Sequence, residues 1–489
     1  MKRIIAALLA VLCILPLAAC ASESGTADTT AADTTAAVAD TTDTAVPEET
    51  TAEESPLLKD SLGEYDFNGA DYVIFGGSNR ATTAVTAAEQ NGEAINDAQY
   101  LSRTMVEERF DVNIRYEDVG DNDTAVATMM RNLVNGGDDT YAIGVGQDGN
   151  TINLSLQGLH YNLHSIEQFD FEQPWWGQAT KDLSFGDKYY AASSFLTYYC
   201  LYMAKQIIVN KDMAADLNLT IPYDKVFAGE WYLDDYVEFI STATQDVNGD
   251  GVMTDADQYG FSWAPGNLYT FQNSMDVTVF GKDEKNLPFV NFNQDKAMQY
   301  LEIMEPMLQN HAYKCPESYG APFFAQNKAL TAYCMFREVC TIIRDTDITY
   351  GFLPVPKLDE NQKEYKTVSV DILWAVPAIH SEKIEMIGAV TEALSCQHYN
   401  YVRPAFFDTT MKGKLSDSPE DAKVLDMIPA TRSIDFGYSY YQVITPMQYL
   451  MDLTNKVTTT TLASTYKKIS ASLEKQMNDA VAKIEKLPG

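Results

Sequence analysis

Along residues 71–145 the apolar positions switch between two periods, and each switch marks an element. Asp71-Tyr-Val-Ile-Phe75 reads as a strand, stopped by Gly76-Gly77. Asn96 is placed to cap a helix that carries Ala98, Leu101 and Met105 on one face. Val112-Asn-Ile-Arg-Tyr116 alternates as a second strand. Val126, Met130 and Leu133 mark a second helix, ended by Gly136-Gly137, and Tyr141 to Val145 is a third strand. Strand–helix–strand–helix–strand predicts a parallel sheet covered by helices. Ligands of such sheets sit beyond the carboxyl ends of the strands, and Phe75-Gly-Gly-Ser-Asn79 is one such end.

A new region opens near residue 187. Asp187 to Ser193 is extended, Gln206 to Asn210 is a strand, and a short helix starts at Asp212. Leu233–Thr242, Ala297–Leu308 and Ser381–Ser395 carry helical spacing, while Gln258–Ser262 and Val368–Val376 read as strands. The chain closes on a long amphipathic helix, with Leu462, Tyr466, Ile469, Leu473, Met477, Val481 and Ile484 three or four residues apart. No internal repeat is present.

The N-terminus carries no such pattern. Lys2 and Arg3 precede an apolar stretch, Ile4 to Ala18, too short to span a bilayer and placed as a signal sequence would be. It ends Leu17-Ala18-Ala19-Cys20, which resembles a bacterial lipobox and so implies a diacylated Cys20 at the mature end; ordinary cleavage with an incidental Cys20 is the plainer alternative. Residues 21–56 are Ala, Thr, Asp and Glu, with nine acids and no base, a segment unable to offset its ordering entropy. It reads as a tether.

Charge narrows the partners. The chain of 489 residues carries 35 Lys+Arg against 69 Asp+Glu, a formal balance of −34. Phosphate neutralisation is excluded as its main task, so nucleic acid is not an expected partner. An acidic body also favours neutral or cationic ligands over anions unless local bases such as Arg80 or Arg403 intervene. Cys200, Cys315, Cys334, Cys340 and Cys396 lack CxxC spacing and read as buried thiols, with one or two disulfides open in an exported protein.

The sharpest motif is Asp246-Val-Asn248-Gly-Asp250-Gly251-Val-Met-Thr-Asp-Ala-Asp257. It fits a calcium loop: side-chain oxygens of Asp246, Asn248, Asp250 and Asp257 and the Val252 carbonyl as ligands, with Gly251 for the sharp turn. The plainer alternative is an acidic turn that binds nothing. The strand after it makes a structural Ca²⁺ clip the expectation rather than a sensor. Gly144-Val-Gly146-Gln-Asp-Gly149 matches a dinucleotide fingerprint in form but follows the third strand, and is expected to be a flexible loop beside a cleft. No nucleophile elbow, HExxH or P-loop is present. Trp176, Tyr198, Trp263 and Trp374 fall at loops or strand ends, where aromatic faces stack on sugar rings; core packing is the equal alternative for each.

Several segments in order resemble the bacterial extracellular solute-binding proteins of ABC importers, family 1. They are Pro174-Trp-Trp176, Gly186-Asp-Lys-Tyr-Tyr-Ala, Ile208-Val-Asn210-Lys-Asp212, Gly229-Glu-Trp231, the Asp246–Phe261 insertion and Gly351-Phe-Leu-Pro-Val-Pro356. The resemblance implies a two-lobed α/β, periplasmic-binding-protein-like (type II) fold with hinge-linked lobes. The expected divisions are a signal peptide at 1–19, lipidated Cys20 and tether at 20–56, lobe 1 at 57–190, lobe 2 at 191–351, a return to lobe 1 at 352–396, and C-terminal helices at 397–489 packing mainly on lobe 2. It implies capture of a small solute, an oligosaccharide above all, for a permease, by a lipid-anchored monomer facing the extracellular side or the periplasm. Position marks Gly77, Ser78, Asn79, Trp176, Tyr198, Trp263, Asp371 and Trp374 as ligand contacts, with no catalytic residue. An extracellular carbohydrate-active enzyme and a ligand-sensing module for a signalling receptor remain the alternatives.

Overall fold

The first sheet grows from the segments with the densest apolar runs. In the computed structural model, which describes residues 57–77, 85–120, 123–264, 266, 268–316, 320–370, 372–379, 382–407, 418–451 and 453–488, β1 (Ala70–Gly76) buries Tyr72 to Phe75 on both faces. Helices cover both sides of such a strand, which is why its apolar run does not alternate. β2 (Val112–Asp118) buries only Val112 and Ile114, and lies at the edge. β1 pairs in parallel with β2 and with β3 (Ile143–Gln147); β12 (Ile372–Ala375) closes the other edge antiparallel to β3. Helices α1 (Ala94–Phe110) and α2 (Asp123–Gly136) make the crossovers. The residue preceding α1 is Glu93, not Asn96; the Asn96 amide instead donates to the Glu89 carbonyl at 2.8 Å.

The glycine motif is not a loop. Gly144 and Gly146 lie inside β3, and Gly149 lies in the first turn of α3 (Asp148–Ser155). A Cβ on Gly144 would meet the Phe75 ring at 2.5 Å and Met130 at 2.9 Å, so α2 packs where a side chain would stand. A Cβ on Gly149 would meet the Gln442 amide at 2.8 Å. Close packing, not mobility, sets these positions.

The second sheet runs in the order β10 (Tyr350–Leu353), β4 (Lys205–Asn210), β9 (Ala329–Met335), β5 (Tyr259–Trp263), β8 (Ala312–Lys314). β4 and β9 are buried along their whole length. Asn210 ends β4 and caps the next helix, its Oδ1 accepting the Met213 N–H at 2.9 Å.

Chain segments cross between the two sheets at a common waist. Residues 192–204 leave the first sheet, where Ala192 pairs with Trp374, and lead into β4 of the second; Ala204, just before β4, pairs with Ser369 outside that sheet. The return runs through β11 (Thr367–Ser369) into β12, and β13 (Arg432–Ile434) lies parallel to β11. A small hairpin, β6 (Phe280–Lys282) and β7 (Pro288–Val290), flanks the second lobe. The C-terminal helix, Leu462–Glu485, shares a core with both lobes: Ile469, Leu473, Met477 and Ile484 pack with Ile152, Leu183 and Tyr190 as well as Val279 and Phe280. Lys188 Nζ ties its end, donating to the Leu487 carbonyl at 2.7 Å. Among the described residues no helix is long and apolar enough to cross a membrane. Of the five cysteines named above, Cys200, Cys315, Cys334 and Cys396 are buried and Cys340 is half-buried.

Candidate functional site

The ends of the two sheets approach at Asp148, which follows β3, and Lys205, the first residue of β4, whose charges interact. The first lobe brings Gly77 and the β3–α3 junction at Asp148 and Gly149; the second brings Trp263, Lys314, Met335 and the N-terminal end of β4 at Lys205.

The first residue of β4 is a buried lysine. Lys205 Nζ donates to Thr270 Oγ1 at 3.0 Å and sits 5.9 Å from the Tyr333 ring centre. Burial pushes its ammonium down to about 8, while Glu338 and Asp148 pull it back up. Glu338 is held by the Met335 N–H at 2.6 Å, and burial raises its carboxyl. Asp148 comes from lobe 1 and Glu338 from lobe 2, so the lysine is balanced by charge from both lobes.

A cavity of 440 Å³ lies near the end of β5. Tyr269, Tyr438 and Tyr441 form its aromatic wall, with Lys314, Gln448 and Lys456 around them. The wall is built by one carboxylate. Asp435 Oδ1 accepts the Tyr438 N–H at 2.7 Å, capping the helix Phe436–Tyr440, and also accepts the Tyr269 hydroxyl. That shared acceptor stacks Tyr269 on Tyr438, with centres 5.6 Å apart and planes 23° apart; Tyr441 lies 5.8 Å beyond. Burial raises the Asp435 carboxyl, the Tyr269 hydroxyl pulling against it. Strand register sets Lys314 opposite Trp263, and its ammonium lies 5.4 Å from that ring centre. The volume and the mix of rings with a few polar groups suit a small sugar.

On the far side of Asp435 a mixed cavity of 380 Å³ is lined by Asp182, Asn273, Lys282 and Lys366 together with Phe280, Ile434 and Phe436. Its lysines are engaged: Lys282 Nζ donates to the Lys181 carbonyl at 2.8 Å, and Lys366 pairs with Asp276.

The residues marked from sequence divide into three groups. Trp263 ends β5 and is itself buried in the core with 4% exposure, Tyr198 is half-buried against Tyr199, Tyr202 and Phe406, and Gly77 follows β1. Trp176 and Trp374 are core residues with 0% exposure. Trp176 Nε1 donates to Glu392 at 2.9 Å, Trp374 Nε1 to Ser194 at 3.0 Å, and the rings lie 5.7 Å apart. Neither offers a face to a ligand. Ser78, Asn79, Asp371, Arg80 and Cys20 lie outside the described residues. Tyr438, Tyr441, Lys314, Lys205 and Asp148 were not marked. The run Tyr438-Ser-Tyr-Tyr441 and a lysine opening the apolar strand Lys205-Gln-Ile-Ile-Val were the signals available.

The calcium-like loop is wound by its own backbone. Asp246 accepts the N–H groups of Gly249 and Gly251, both at 2.7 Å; Asn248 accepts that of Asp250 and Asp250 that of Val252, both at 2.8 Å. Gly251 has φ +80°, the sharp turn a glycine supplies at the sixth position. Asp257 turns inward to the Val247 N–H at 3.1 Å and the Thr254 N–H at 2.7 Å, bonds that hold its carboxyl below the usual range. Among the described residues no three His, Cys, Asp or Glu side chains are gathered as a metal requires.

No protein-family model matches the sequence, and no curated protein matches it. Solved structures do match in fold. UgpB from Mycobacterium tuberculosis, in complex with glycerophosphocholine, aligns with a TM-score of 0.53 at 16% identity, over 84% of this chain and 99% of that one. The apo form of RafE from Streptococcus pneumoniae aligns with a TM-score of 0.50 at 12% identity, over 84% and 98%. The fold is the two-lobed periplasmic-binding-protein-like one.

Proposed function

We propose that this chain is a solute-binding protein that captures a small solute, best an oligosaccharide, for an ABC importer. The observation that carries this is the tyrosine-walled cavity near the end of β5, beside a waist of segments that cross between the two sheets, where Gln442, next to Tyr441, packs on Gly149 at the start of α3. Such a waist permits hinge motion, and a ligand that touches both lobes favours the closed form by its differential contacts. The likeness to a protein solved with glycerophosphocholine supports a small polar solute. No step of this role needs bond breaking, so the cargo leaves as it entered and no residue is assigned a catalytic part. The lipobox-like Cys20 and acidic tether support a lipid-anchored monomer that meets its permease at the outer face of the membrane.

Calcium at Asp246–Asp257 belongs to the same proposal, supported by the motif, the Gly251 turn and the bond from its N–H back to Asp246.

Isothermal titration of the purified chain against oligosaccharides, peptides and polyamines tests the reading. A saturable single site for a glycan, with the glycan recovered intact, is expected. Binding of none of the three classes, or turnover of the glycan, would overturn it.

A further inference from the structure

The 380 Å³ cavity behind Asp435 takes its walls from three parts of the chain. Gln178 and Asp182 precede the crossing at 192–204, Asn273 lies in the helix Leu268–Ser274 that follows β5, and Val368, Ser433 and Ile434 belong to β11 and β13. The four charged side chains of the lining are already engaged by protein groups. Asp182 accepts the Gln178 amide at 3.0 Å and the Ile434 N–H at 3.1 Å. Lys282 donates to the Lys181 carbonyl at 2.8 Å and to Ser184 Oγ at 2.9 Å, and Lys366 pairs with Asp276. Asp435 holds the Tyr269 hydroxyl and the Tyr438 N–H.

Asn273 is different. It is 1% exposed, and neither its Nδ2 nor its Oδ1 makes a hydrogen bond of ordinary geometry. The Tyr269 hydroxyl nearby has its proton on Asp435 and supplies no donor to the Oδ1. A buried amide left in this way costs stability, and one that lines a cavity marks where a ligand's donor and acceptor fit. Thr278 and Ser433 add hydroxyls to the same lining, and Phe280, Ile434 and Phe436 add apolar surface. A charged ligand would have to compete with pairs that are already made. A hydroxyl, which donates and accepts without charge, meets the amide and leaves those pairs intact.

We propose that this cavity is a second ligand site, one that takes a neutral monosaccharide or open-chain polyol, with hydroxyls on the Asn273 amide and C–H surface on Phe280 and Phe436. It goes beyond the solute-binding reading and does not rest on it, because the oligosaccharide site of that reading is the tyrosine-walled cavity on the other side of Asp435.

Calorimetric titration of the purified full chain with glucose and with sorbitol tests it, together with the melting temperatures of ligand-free variants. At least one probe is expected to bind saturably, with a dissociation constant on the order of 1 mM, the scale for so few atoms. Asn273→Leu keeps the shape of the side chain and removes the unmet amide. Ligand-free, it is expected to melt above the wild type, where the loss of a structural amide would lower the melting point; its affinity for the probe is expected to fall about ten-fold. Thr278→Val, at a half-buried position, is expected to weaken the probe in the same direction, and reads the site even if Asn273→Leu does not fold. Tyr441→Ala, in the other cavity, is expected to leave probe affinity unchanged. No saturable binding of either probe by the wild type would overturn the proposal and leave water alone to meet the amide. Probe binding that survives both Asn273→Leu and Thr278→Val, or that Tyr441→Ala abolishes, would overturn it as well. The oligosaccharide titration is read separately, so none of these failures is a failure of the solute-binding reading.

Discussion

Glu392 shows how one residue can decide which aromatics are structural. Its two oxygens accept the indole N–H groups of Trp175 and Trp176, each at 2.9 Å, and it is fully buried. Burial raises its carboxyl to about 8, with the two indole donors pulling the other way. The folded state therefore holds a proton that the unfolded chain releases near pH 4.5. Stability from that proton is complete below 4.5 and is lost as pH rises through about 8. Glu392→Gln sets an amide N–H₂ against one indole N–H, and is expected to cost about 1–3 kcal/mol at pH 5. Because Gln does not titrate, the gap in melting temperature between wild type and variant should narrow from pH 5 to pH 9. A gap independent of pH would contradict this account of the carboxyl. The same residue explains why Trp176 was misplaced from sequence. Its partner lies 216 positions away, and nothing local in Pro174-Trp-Trp176 distinguishes a sealed indole from one facing a ligand. Tyr438 and Tyr441 were missed for the converse reason. Aromatics in a short helix read as core, and only the stacking on Tyr269 reveals a wall.

At the scale of elements, local chemistry was legible wherever the cause was local. β1, β2 and β3 lie where apolar runs and glycine stops put them, and Asn210 ends β4 as a cap. The glycines of β3 were legible as a motif but not as packing, because Phe75 and Met130, which they admit, come from other elements. The Asp246–Asp257 loop separates two causes of stability that a titration can tell apart. Asp257 anchors the Val247 and Thr254 N–H groups, so Asp257→Ala is expected to lower the melting temperature with or without metal. Asp250 is exposed and holds one N–H, that of Val252. If the loop carries Ca²⁺, EGTA lowers the melting temperature of the wild type and has no effect on Asp250→Ala, whose melting point already equals that of the chelated protein. An EGTA response absent from the wild type would remove calcium from the proposal.

The molecule as a whole depends on its waist. Residues 192–204, the β10-to-β12 return and β13 all cross there, and Lys205 lies between Asp148 of one lobe and Glu338 of the other. A buried lysine whose ionisation is supported from both sides couples the lobes, since drawing Asp148 away leaves a less compensated charge. The order of segments along the chain announced two lobes. The pairing of charge across them was not legible, because Lys205, Asp148 and Glu338 are scattered over nearly 200 residues. Small-angle X-ray scattering of the purified chain, free and saturated with the glycan that calorimetry identifies, tests the central claim most directly. The account predicts a smaller radius of gyration and a shorter maximum dimension in the bound state. Superimposable profiles at saturation would show a molecule that binds without closing, and would contradict it.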